Sequence, residues 1–145
     1  MTLERAIEIT ARAHAGQVDK AGEPYILHPL RIMLRMSGYE ERIAAVLHDV
    51  VEDTPFTFDD LISEGLNGAA LEAVRLVTKD PAVDYKIEAH LQGYLQRIKK
   101  HSIARAVKLG DLEDNLNVLR LRTVTEKDRA RLDRYLESRR FLLAD

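Results

Sequence analysis

The sequence predicts an all-α fold, one helical bundle spanning residues 1–145, on three observations. Apolar residues recur three and four positions apart almost throughout, which is the spacing that lines one face of a helix. Alternating apolar and polar runs bounded by turn residues, the mark of half-buried strands, are hard to find. The length of 145 residues, with 46% hydrophobic and 32% charged, suits a single globular core.

In chain order, Thr2 is placed to cap a first helix whose Leu3, Ala6, Ile7, Thr10 and His14 share an inward face. Between Gly16 and Pro29 two glycines and two prolines interrupt the pattern. Pro29 suits the first position of a second helix running through Met33 and Leu34, with His28 at the junction. After Ser37-Gly38 a third helix puts Ile43, Leu47 and Val50 on one side and carries His48, Asp49, Glu52 and Asp53 near its end, where Pro55 limits it. Thr57 and Asp60 form a capping box for a short helix ending near Gly65. Asn67-Gly68 turns the chain into a helix buried through Ala70, Ala73, Val74 and Val77. Residues 78–86 lack periodicity and are a candidate mobile loop over a site. Tyr94, Leu95 and Ile98 mark the next helix. Ser102 is then expected to cap one with Ile103, Ala106 and Val107 inward, continuing to Leu116 and Leu119. Thr125 and Asp128 open a final helix burying Leu132, Tyr135, Leu136 and Leu143. No repeat, low-complexity segment or linker interrupts this order.

Charge narrows the function classes. The 22 Lys and Arg nearly balance 24 Asp and Glu, so no overall field favours nucleic acid or an anionic membrane, and an anionic ligand must be held by local charge. No cysteine is present, which removes disulfides, thiolate nucleophiles and thiolate zinc sites and fits a reducing cytoplasm. No apolar run approaches the roughly 18 residues of a membrane span, and the N-terminus opens an amphipathic pattern in place of a signal, so a cytoplasmic protein is expected.

The chemistry concentrates in His48-Asp49-Val50-Val51-Glu52-Asp53-Thr54. His48 and Asp49 are adjacent, and Glu52 and Asp53 follow one turn on, in a segment otherwise built of Ile43, Ala44, Ala45, Val46, Leu47, Val50 and Val51. Titratable groups in such apolar company are costly to bury without partners, and a cation compensates them. A lone His-Asp pair reads more simply as the frayed acidic end of a helix. His28 beyond the Gly22–Pro24 turn, and Asp111 on an apolar helix, complete a mixed nitrogen and oxygen ligand set from separate elements.

Three motifs in order carry a family resemblance. They are His14-Ala15-Gly16-Gln17 leading to Lys20-Ala21-Gly22-Glu23-Pro24-Tyr25-Ile26-Leu27-His28-Pro29-Leu30, then His48-Asp49-Val50-Val51-Glu52-Asp53-Thr54, then Lys108-Leu109-Gly110-Asp111 with Asn115-Leu116. Over Met1 to about Leu121 the chain resembles the HD superfamily and, within it, the guanosine-tetraphosphate hydrolase domain of the RelA/SpoT family, including its short stand-alone metazoan type. The resemblance implies an HD-type bundle, a divalent ion held by His28, His48, Asp49 and Asp111, usually manganese, and removal of pyrophosphate from the 3′ position of guanosine 3′,5′-bis(diphosphate). Ligand chemistry alone also permits Fe, Co, Ni or Zn. Glu52, and secondarily Asp53, are then placed for proton transfer or water orientation, and Lys20 and Asn115 for substrate binding. Tyr25 is expected to pack beneath the turn and His14 to be a buried structural residue, and the sequence names no partner for His90 or His101.

Two departures qualify the substrate. Asp19 stands where the family usually has arginine, and Gly110, Leu112, Glu113 and Asp114 differ from the family's third motif, with Leu112 removing a cation and Glu113 and Asp114 adding negative charge that disfavours a polyphosphate. A different nucleotide or phosphoester is therefore the alternative substrate, and a nucleotide- or metal-binding regulatory module without turnover is the alternative class. Chain length leaves no room for the family's synthetase domain, so alarmone synthesis is not expected.

Overall fold

A computed structural model describes residues 1–145. Its elements in order are α1 (Leu3–Ala13), α2 (Leu27–Arg35), α3 (Tyr39–Leu47), α4 (Val50–Asp53), α5 (Phe58–Ser63), α6 (Gly68–Val77), α7 (Glu88–Lys99), α8 (Ser102–Asn115), a 3-10 turn (Val118–Arg120) and α9 (Glu126–Leu143). The one β contact is an isolated bridge between Val18 and Pro24, so the all-α expectation holds. No helix is long and apolar enough to cross a membrane.

The centre of the bundle is α3, whose Ile43, Ala44, Ala45, Val46 and Leu47 are all buried. A helix apolar on every side must be wrapped, and α1, α2, α6 and α8 pack around it. Thr10 of α1 donates its hydroxyl to the Val46 carbonyl at 2.8 Å, which adds a directional bond to that packing. Large side chains buried at zero exposure, Ile32, Leu61, Ile98 and Leu142 among them, each contribute about 1.5–3 kcal/mol. Helix α8 comes very close to α2 at Gly110, where a Cβ would stand 3.0 Å from Ile32 Cγ2 and 3.1 Å from Met36 Cε.

The structure revises several element boundaries. α2 starts at Leu27, which makes Pro29 its third residue, and His28 lies inside the first turn. The expected long third helix is broken at His48 and Asp49, and α4 resumes from Val50 with the Asp53 N–H on the Asp49 carbonyl at 2.9 Å. It ends as Thr54 turns extended ahead of Pro55, the residue before a proline being disfavoured in helical conformation. Ser102 is the first residue of α8, and the cap is the His101 side chain, whose Nδ1 accepts the Ala104 N–H at 3.3 Å. α8 ends at Asn115, leaving Leu119 91% exposed beyond it. On α9 the buried residues are Ser138 and Leu142, whereas Leu136 and Leu143 face solvent.

The capping boxes at Thr57–Asp60 and Thr125–Asp128 form as read from sequence. In the second, the Thr125 N–H and hydroxyl reach Asp128 at 3.0 and 2.9 Å, and Arg131 reaches it at 2.6 Å. These donors, Thr125 first, hold the Asp128 carboxyl down from 3.8 to about 2. A depressed carboxyl stabilises the fold above its unfolded pKa and ceases to do so as pH falls through the folded one. Wild type should therefore melt above Asp128→Asn at neutral pH, with the gap closing between pH 4 and pH 2; a gap that persists unchanged at pH 2 would remove the cap from this account.

Candidate active site

The break between α3 and α4 is where the chemistry gathers. His48 ends α3 and Asp49 precedes α4, so two neighbours in sequence leave a helix and turn the same way. α2 brings His28, and α8 brings Asp111. His48 Nε2 lies 2.9 Å from Asp49 Oδ2 and 3.7 Å from Asp111 Oδ1, while His28 Nε2 lies 3.3 Å from Asp111 Oδ1 and 3.6 Å from Asp49 Oδ2. All four sequence-predicted ligands meet. Donors bound to one ion at about 2.0–2.2 Å stand roughly 3–3.5 Å apart, and the His–Asp separations here, 2.9 to 3.7 Å, straddle that range.

The donors also fit a cation chemically. His48 Nδ1 bonds the Ala45 carbonyl at 2.7 Å, which puts the ring proton there and leaves Nε2 bare. That Nε2 is buried and makes no hydrogen bond, its nearest carboxylate oxygen being misaligned. An orphaned buried nitrogen facing two carboxylates calls for a positive partner. His28, His48 and Asp49 alone already form a group able to hold a metal ion.

Burial opposes charge at every one of these positions, and the neighbours overrule it. Asp49 and Asp111 raise the His48 ring, and Asp111 and Asp114 raise the His28 ring. Lys108, then His28, hold Asp111 well below the usual carboxylate range; His48 lowers Asp49. Asp111 is tied on both oxygens, by Lys108 Nζ at 2.6 Å and by Asn115 Nδ2 at 2.7 Å. Lys108, in contact with Asp111 and lining the cavity, is a member of this cluster that sequence reasoning passed over, although it sits one turn before Asp111 in a quoted motif. Tyr25 is another. It does not merely pack beneath the turn, because its hydroxyl donates to Asp49 Oδ2.

Glu52 and Asp53 line the same cavity, of about 190 Å³, with the four ligands, Asn115 and Lys79. Burial, then the Asp49 charge, raises the Asp53 carboxyl; Glu52 is raised chiefly by burial, although the Lys79 N–H bound to its Oε1 at 2.7 Å works against this. That bond brings the start of the 78–86 loop to the rim, as expected of a segment over a site, and the Tyr85 hydroxyl accepts the Asp80 N–H at 2.9 Å. Lys20 is not in this cavity. It lines a neighbouring one of about 260 Å³ that shares Tyr25, Asn115 and Tyr135 with the first and adds Arg120 and Arg131. A third, of about 300 Å³, shares Lys79 and Lys108 and adds Lys86 and Arg134.

The charges expected to repel a phosphate are engaged elsewhere. Asp19 pairs with Arg120 at 3.0 Å and accepts the N–H groups of Ala21 and Glu23. Glu113 pairs with Arg35 and Arg139, each at 3.0 Å. Asp114 binds His28 and Arg31, and Leu112 is core. Of the remaining histidines, His14 is buried with Nδ1 on Gln17 Oε1 at 2.7 Å, the structural role expected, and His101 is the α8 cap.

Fold and cluster together define an all-helical domain with His28, His48, Asp49 and Asp111 gathered at one pocket. The chain is similar to SpoT-type proteins: it is 35% identical over 128 residues to the guanosine-3′,5′-bis(diphosphate) 3′-pyrophosphohydrolase of Aquifex aeolicus and 33% over 129 residues to the bifunctional (p)ppGpp synthase/hydrolase SpoT of Escherichia coli, each match covering 81% of this chain. It spans 18% of the length of both relatives. A solved structure of a metazoan SpoT ortholog that hydrolyses ppGpp superposes with a TM-score of 0.79 at 24% identity, over 98% of this chain and 85% of that one. No family model matches.

Replacing Tyr25 by phenylalanine removes one bond to a charged acceptor and should lower unfolding stability in urea by about 1.5–3 kcal/mol. An unchanged midpoint and slope would show that Asp49 is held without it.

Proposed function

We propose that this chain is a metal-dependent phosphohydrolase that releases pyrophosphate from the 3′ position of guanosine 3′,5′-bis(diphosphate), the activity for which its relatives are named. One observation carries the reading: four nitrogen and oxygen donors converge in a buried pocket, and two carboxyl groups, Glu52 and Asp53, stand one turn away along the chain. His28, His48, Asp49 and Asp111 would hold the ion, with Mn²⁺ the metal of choice. When bound, it supplies Lewis acidity toward the scissile phosphate and the attacking water.

The remaining work falls to the chain. Glu52 takes the proton of the attacking water, a role that its raised pKa suits, and its Oε2 is the oxygen left for it because Oε1 holds the Lys79 N–H. Asp53 orients the water. Asn115 fixes Asp111 and meets the substrate from the wall that the first two cavities share, while Lys20 offsets phosphate charge from the second. Asp19, Glu113 and Asp114 are paired with arginines, which offsets their negative charge, and of the three only Asp19 lines the second cavity. We take residues 1–145 as one domain, and a nucleotide substrate would be met in the cytoplasm.

The test is pyrophosphate release from ppGpp by purified protein with Mn²⁺, beside a panel of ordinary nucleotides. Asp111→Ala should lose metal and activity together. Glu52→Gln keeps the acceptor for the Lys79 N–H and should retain metal while turnover falls about 10²–10⁴-fold. Turnover of another phosphoester with ppGpp untouched would move the chemistry to that substrate, and binding of nucleotide and Mn²⁺ without turnover of anything would make the chain a regulatory module.

A further inference from the structure

The two imidazoles facing the metal pocket are not held alike. His48 gives its Nδ1 proton to a neutral backbone carbonyl, that of Ala45. His28 has a carboxylate in that place: Nδ1 stands 2.6 Å from Asp114 Oδ2. Asp111 and Asp114 are three apart on α8, so one helix face presents both carboxylates, and the His28 ring lies between them with Nε2 toward Asp111 and Nδ1 toward Asp114.

Asp114 is itself clamped. Arg31, one turn after His28 on α2, grips it with both prongs of its guanidinium, Nε to Oδ1 at 2.7 Å and Nη2 to Oδ2 at 2.9 Å. Its backbone carbonyl accepts Arg120 Nη2 at 3.1 Å, and the other end of that guanidinium meets Asp19. A buried carboxylate that accepts three such bonds is held in one orientation, and a bidentate arginine supplies two of them at the cost of little freedom.

We propose that Asp114, held by Arg31, is a positioning residue that keeps the His28 proton on Nδ1 and aims a bare, electron-rich Nε2 at the metal. This rests on the functional reading above, because it gives His28 the part of a metal ligand. A carboxylate behind an imidazole makes the ring a better donor and fixes its tautomer and tilt, and removing such a partner typically costs 10–100-fold in metal affinity. Arg31 cancels the added charge, so the pocket gains basicity at one nitrogen without a further net anion beside the phosphate. A plain α2–α8 ion pair would need Arg31 and Asp114 but would not need the imidazole between the two carboxylates.

The experiment compares the full chain with Asp114→Asn and Arg31→Gln, titrating each with Mn²⁺ followed by the electron paramagnetic resonance of the free ion, with metal-free melting recorded beside it. Asparagine offers one acceptor where His28 and Arg31 require more, so Asp114→Asn should raise the Mn²⁺ dissociation constant about 10–100-fold. Arg31→Gln leaves the carboxylate on the ring and should raise it less, although both variants weaken the α2–α8 link and lower the melting temperature. In the metal-free wild type, at a pH where the ring is neutral, ¹⁵N spectra should put the His28 proton on Nδ1. Equal Mn²⁺ affinity in wild type and Asp114→Asn, or a proton on Nε2 in the wild-type spectra, overturns the proposal, and the spectra decide alone if the variant does not fold. A wild type that binds no Mn²⁺ overturns the functional reading itself, and this inference with it.

Discussion

Everything in this bundle answers to one electrostatic constraint: two buried aspartates, the half-buried Asp49 and two buried histidines share the place where α2, α8 and the α3–α4 break meet. Like charges in a dry site repel strongly unless each is offset, and an unpaired buried carboxylate costs more than most single packing contacts return. Lys108 answers Asp111, Arg31 answers Asp114, the Tyr25 hydroxyl answers Asp49, and the two Nε2 atoms with their facing oxygens leave a place that a divalent ion satisfies. The backbone serves the same end. α3 stops short so that His48 and Asp49 turn inward together, and Gly110 lets α8 approach α2 closely enough for Asp111 and Asp114 to flank His28.

Local charge, not net charge, gives the site its character. A chain with 22 basic and 24 acidic residues has almost no long-range field, yet the cavities flanking the cluster are lined by Lys20, Arg120 and Arg131 on one side and by Lys86 and Arg134 on the other. Arg120 and Arg131 are themselves paired, with Asp19 and Asp128, which leaves Lys20, Lys86 and Arg134, of these cations, outside an ion pair. The arrangement suits an anion whose charge extends in two directions from the metal, with the field falling off within a Debye length of about 8–10 Å.

The sequence made the meeting of His28, His48, Asp49 and Asp111, the all-α class and the order of the helices legible, because those follow from local periodicity, side-chain caps and motif spacing. Where it misled, the deciding contact was remote or the local pattern degenerate. Asp19 and Asp114 read as unpaired negative charge, yet their partners lie 101, 86 and 83 residues away, in Arg120, His28 and Arg31. Ser102 looked like a cap because serine is a favoured one, but the His101 ring nitrogen took the position. On α9 so many residues are charged that the few apolar ones fit more than one face, and packing against α7 and α8 chose the face of Ser138 and Leu142. Leu119 fell outside because α8 ends at Asn115, where nothing as conspicuous as a glycine or proline marks the stop.

The bond from Glu52 to the Lys79 N–H ties two jobs to one carboxyl group. An acceptor oxygen pulls hardest on an N–H when its group is ionised, so a Glu52 that has just gained a proton also loosens its hold on the rim. Protonation of Glu52 therefore slackens the tie between α4 and the start of the 78–86 loop, and ionisation tightens it again.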